Sequence, residues 1–116
     1  MKLTLANRKV TLVLCPIDMR SGFSKLSLIS QQFLNVDVTR GEDCVVFVNK
    51  SRAMVKVIFA DTKGTVMLTR KLHQGRFQQL LTRAEGAATE PLTVNELERY
   101  LDGEAIQVKR QSLLKN

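Results

Sequence analysis

Cys44–Asn49 (CVVFVN), Ala53–Ala60 (AMVKVIFA) and Thr65–Lys71 (TVMLTRK) are three apolar, β-branched runs separated by two short polar turns. Val, Ile and Phe suit a pleated, half-buried surface, so each run reads as a strand. Lys50-Ser51-Arg52 is a tight basic turn. Asp61-Thr62-Lys63-Gly64 is a hairpin loop in which Gly64 is free to take positive φ. The three runs predict an antiparallel meander. Alternation puts Val55, Val57 and Phe59 on one side of the middle strand, with Met54, Lys56, Ile58 and Ala60 on the other. In the third strand Val66, Leu68 and Arg70 oppose Thr65, Met67, Thr69 and Lys71. Hairpin register decides which of these basic positions share a face.

Upstream, Val10–Cys15 (VTLVLC) is a short apolar run stopped by Pro16, a buried strand. A helix follows over about Gly22–Leu34, with Asp18 or Ser21 as its cap and Phe23, Leu26, Ile29 (or Ser30), Phe33 and Leu34 as its apolar positions. Asn35–Asp43 reads as a loop. Downstream, Leu72–Arg83 fits either a short helix or an irregular segment carrying Phe77, Leu80 and Leu81, and Ala84–Pro91 reads as a linker. Thr93-Val94-Asn95-Glu96 is a capping box that opens a helix through Leu97, Tyr100 and Leu101 to Gly103. The expected fold is α+β. It has a three- to four-stranded antiparallel meander, an N-terminal helix after the first strand and a C-terminal helix. One domain is expected over residues 1–106, with a flexible basic tail at 107–116.

The chain has 116 residues, 44% of them hydrophobic and 25% charged, which fits an ordered globular protein. No run approaches the ~18 apolar residues of a membrane span, and the N-terminus lacks a signal-peptide pattern, so a cytoplasmic protein without membrane contact is expected. Cys15 and Cys44 lie in apolar settings and read as two buried, reduced thiols, although one disulfide is arithmetically possible. His73 is the single histidine, and there is no CxxC, so no metal or other cofactor is expected.

Charge is concentrated in one place. Between Lys50 and Arg83 eight cations face Asp61 alone, which accounts for the whole net charge of +7. Such a surface attracts a polyanion, because each neutralised phosphate releases condensed counterions. Lys50, Arg52, Lys56, Arg70, Lys71 and Arg76 are the candidate phosphate contacts. Arg20 joins them because it stands beside a helix start. Sparse aromatics (five Phe, one Tyr and no Trp) weigh against a base-stacking platform. Catalysis needs converging carboxylates or imidazoles. Here Asp18, Asp61 and Glu96 each have a capping or turn role, so no catalytic residues are expected.

Asp18-Met19-Arg20-Ser21-Gly22-Phe23, followed by an apolar helix, resembles a hallmark of the insertion-sequence-sixty-six accessory family (TnpB, the second-open-reading-frame product). The likeness continues through Val46–Arg52, Val55–Phe59, Asp61, Gly64, Leu68, Arg70-Lys71-Leu72, Gly75-Arg76-Phe77, Leu92-Thr93 and Leu97. This chain has Phe59-Ala60 where the family usually carries a tryptophan pair. The resemblance implies a non-catalytic protein encoded beside a DDE transposase (TnpC) and a second small protein (TnpA), and needed for efficient transposition. Two modes of action stay open: contact with DNA phosphates through the basic surface, or binding of the transposase without touching DNA. The second would use Arg20, Phe23 and Gly75-Arg76-Phe77.

Overall fold

The computed structural model describes residues 4–18, 20–80 and 89–107. Five strands form one sheet: β1 (Lys9–Val13), β2 (Asp43–Val48), β3 (Met54–Asp61), β4 (Gly64–Lys71) and β5 (Thr89–Leu92), in the order β4-β3-β2-β1-β5. The helices are α1 (Phe23–Leu34) and α2 (Val94–Leu101), and a short 3₁₀ turn spans Val38–Arg40.

The expected meander is present as β2-β3-β4, with each pair antiparallel. The rest of the sheet is larger than predicted. β1 pairs with β2 in parallel, Val10 against Cys44, so α1 lies in the crossover between them. A strand buried on both faces needs a continuous apolar run rather than alternation, which is the pattern of VTLVLC. β5 pairs antiparallel with β1, Val10 against Leu92. It takes up Thr89–Pro91, which had read as linker.

Helices cover both sheet faces. Val13, Val45, Phe47 and Ile58 pack with Leu26 of α1 and with Val38. On the other side Val10, Leu12, Cys44, Val46, Val55 and Val57 meet Leu97, Tyr100 and Leu101 of α2, joined by Leu5, Phe77 and Ile106. Phe77 is thus core, and the Leu72–Leu80 segment is irregular. It is held by the Phe77 amide on the Arg52 carbonyl (2.8 Å) and by the Tyr100 hydroxyl on the Gln78 carbonyl (3.1 Å).

The capping box is built as expected: the Thr93 hydroxyl accepts from the Glu96 amide at 3.0 Å, and the Glu96 carboxylate accepts from the Thr93 amide at 2.8 Å. Gly103, at φ +81, ends α2 by donating to the Tyr100 carbonyl.

Other local expectations need correction. Gly22, not Asp18 or Ser21, is the N-cap of α1, and it makes no side-chain cap bond. Asp18 closes its own turn instead, accepting from the Arg20 amide at 2.9 Å. Phe33 lies 65% exposed, while Ser30 is buried and satisfies its hydroxyl on the Leu26 carbonyl. Cys15 is exposed, because it lies just past β1 where the chain leaves the sheet; only Cys44 is buried. Arg83 and the expected tail from residue 108 onward lie outside the described residues.

Candidate nucleic-acid interface

Topology sorts the cations by the end of the sheet, not by its face. β2 and β4 finish, and β3 starts, at the same end, where the turn of residues 49–53 and the Leu72–Leu80 segment also lie. Lys50, Arg52, Arg70, Lys71 and Arg76 therefore converge there. Lys63 sits in the β3–β4 loop at the opposite end, about 23 Å away at the usual strand rise of about 3.3 Å per residue.

The register separates neighbours that the sequence left together. Arg70 opposes Val55 and takes the α2 side, whereas Lys71 opposes Met54 on the α1 side. The expected basic outer face of the meander is divided: α1 covers Lys56 on β3, and on β4 Arg70 and Lys71 take opposite faces. Lys50, Lys71 and Arg76 are exposed and Arg70 is half-buried. Among the described residues, no acidic side chain forms an ion pair with any of the four.

Two expected contacts are built into the structure instead. Lys56 is 8% exposed, and its ammonium donates to the Ser21 carbonyl at 2.8 Å, beneath the start of α1. It is not on the phosphate-accessible surface. Arg52 is half-buried with φ +60, and its guanidinium donates to the Phe77 carbonyl at 3.2 Å and the Gln79 side chain at 3.4 Å. It fastens the β2–β3 turn to the segment after β4. Asn49 shapes that turn, its side-chain oxygen accepting from the amides of Ala53 and Met54.

Arg20 is exposed and makes an ion pair with Asp18 at 2.8 Å. The Arg20 guanidinium, followed by its backbone amide, holds the Asp18 carboxyl down at about 2. The Arg20 charge is thus partly neutralised locally. The loop it belongs to reaches the cationic end, because the Ile17 amide donates to the Val48 carbonyl.

An open cleft of about 100 Å³ separates the β2–β3 turn from the Gln78–Leu80 segment, with Lys50, Arg52, Gln79 and Tyr100 on its walls. Small-molecule sites are usually about 300–1,000 Å³, so the arrangement suits surface contact rather than enclosure. Among the described residues, no group of three or more His, Cys, Asp or Glu side chains is placed to hold a metal ion. No helix among them is long and apolar enough to cross a membrane.

The chain matches the IS66 Orf2 like protein family (TnpB_IS66) over residues 8–111, and it belongs to that family. It is also 38% identical over 71 residues to the uncharacterized protein y4hO of Sinorhizobium fredii (strain NBRC 101917 / NGR234). That match spans 61% of this chain and 59% of the relative. No solved structure matches it.

Proposed function

We propose that this protein is a non-catalytic accessory of DNA transposition that holds DNA phosphates at the cationic end of its sheet while a DDE transposase (TnpC) does the chemistry. The small protein TnpA is the other expected partner. Lys50, Lys71 and Arg76 are the principal contacts, with Arg70 at the margin and Arg20 as a flank. The observation that carries the reading is the convergence of Lys50, Arg70, Lys71 and Arg76, from the β2–β3 turn and from the end of β4 with the segment after it, onto one end of the sheet, where none of the four forms an ion pair among the described residues. Cations held at strand ends and turns neutralise phosphate without reading base edges, so weak sequence preference is expected.

Fluorescence anisotropy of a labelled element-end duplex and a scrambled duplex, titrated at several salt concentrations, tests this. Binding to both, weakening linearly on a log–log plot against salt, supports it. No binding at low salt overturns it in favour of an adaptor that meets only the transposase.

A further inference from the structure

β4 is an edge strand of eight residues, and no described strand pairs with its outer side. Its hydrogen-bonding parity can be read from the structure. The Leu72 amide donates to the Ala53 carbonyl, continuing the register that sets Met54 against Lys71. Residue 72 therefore turns its amide groups toward β3. By alternation so do Arg70, Leu68 and Val66, while Thr65, Met67, Thr69 and Lys71 present both N–H and C=O outward. The side chains of those same four residues are exposed, Met67 by 40%.

Natural proteins blunt such edges with short strands, charged side chains (lysine above all), prolines or bulges, and of these β4 has only the cations near its ends. The opposite edge, β5, has four residues and Pro91. By contrast, β4 pairs with β3 through eight consecutive positions without a bulge, and it contains no proline.

Charge selects the occupant. Lys63 and Lys71 bracket the strand, with Arg70 and Arg76 close to its end, and Asp61 is engaged in its own turn by the amides of Lys63 and Gly64. A second copy is disfavoured. Two antiparallel self-pairings of equal length oppose the outward groups. One centred on Met67 sets Lys63 of each copy against Lys71 of the other, and one centred on Leu68 sets Lys71 against Thr65 with Lys63 as its diagonal neighbour, so both bring the same cations together. Like charges directly opposite destabilise a sheet.

We propose that β4 is a docking edge for an extended acidic segment of a partner protein, which joins the sheet as a sixth strand. Main-chain hydrogen bonds to Thr65, Met67, Thr69 and Lys71 would supply affinity, and the flanking lysines would select acidic residues. The inference does not depend on DNA contact.

The test uses the full chain and a labelled nine-residue peptide of alternating glutamate and valine, with two controls. One is the same peptide N-methylated at the amides that would face β4; the other carries lysine in place of glutamate. The expected result is binding with amide NMR shifts confined to β4 and its flanks. Loss of two or more hydrogen bonds by N-methylation should weaken binding by about tenfold or more. Met67→Pro removes an outward N–H while sparing the ladder to β3, and should have the same effect with the circular dichroism unchanged. Should that variant unfold, the N-methylated peptide decides the matter on the intact protein. Equal binding of the methylated or lysine peptide overturns the proposal, as does no binding at millimolar peptide. So does a dimer in sedimentation that Met67→Pro abolishes, since a second copy would then be the occupant. Loss of duplex binding in a folded Met67→Pro would overturn it too, by giving the edge to DNA.

Discussion

The Lys56 ammonium donates to the Ser21 carbonyl oxygen at 2.8 Å, joining β3 to the start of α1 with both residues almost out of solvent. Lys56→Met removes the donor and strands that carbonyl. Leaving a buried acceptor unsatisfied costs about 1–3 kcal/mol. The urea midpoint should fall accordingly, while the salt slope of DNA binding in the folded variant should match wild type.

Lys50→Gln, Lys71→Gln and Arg76→Gln should behave the opposite way. Each lost phosphate contact lowers the magnitude of the log–log salt slope by roughly one unit, nearly equally for element-end and scrambled duplexes. Thermal midpoints should stay close to wild type. A full wild-type slope in the triple variant would move the interface elsewhere.

Arg52→Ala should destabilise the protein by about 1–2 kcal/mol, because its bond to the Phe77 carbonyl is lost while the strain at φ +60 stays unchanged. Denaturant unfolding reads this directly. Arg52→Gly, which relieves the backbone but not the lost bond, should recover part of it.

Much of the architecture follows from local pattern, and the exceptions share a cause. The meander is visible because β3 and β4 alternate and their loop carries Asp61 and Gly64, and the Thr93–Glu96 box announces α2 through residues three apart. β5 escaped notice because TEPL has no strand propensity of its own; its conformation comes from the open side of β1, which lies far away in sequence. Alternation placed Lys56 correctly with Met54 and Ile58, but nothing nearby reveals that α1 roofs that face. Arg52 likewise finds its partner 25 residues away. Clustering of charge along the chain was legible; its division between faces and ends needed the register.

Asp18 should titrate by NMR with a midpoint of about 2, below its ordinary 3.8, because the Arg20 guanidinium and amide stabilise the carboxylate. The folded carboxyl is depressed, so its contribution is complete above about 3.8 and is lost as pH falls through about 2. Arg20→Gln should return the midpoint toward 3.8.

The two thiols should separate cleanly. A disulfide reagent such as dithionitrobenzoate should modify exposed Cys15 quickly in the native protein, and Cys44 only after denaturation. Burial pushes the Cys44 thiol up to about 12, so above pH 9 the unfolded chain ionises first and native stability falls with rising pH. Tyr100, raised to about 12 by burial, adds to the same alkaline loss.

β1 lies between β2 and β5, and the two sides are completed at very different times. Asp43 and its neighbours arrive early in synthesis, but Leu92, the partner of Val10, emerges 82 residues after it. Until then the nascent protein carries an apolar strand with one row of backbone groups unmatched, the state most prone to join another chain. A chain cut short of Thr89 would keep that seam open, so such a truncation should lower the yield of soluble protein on expression.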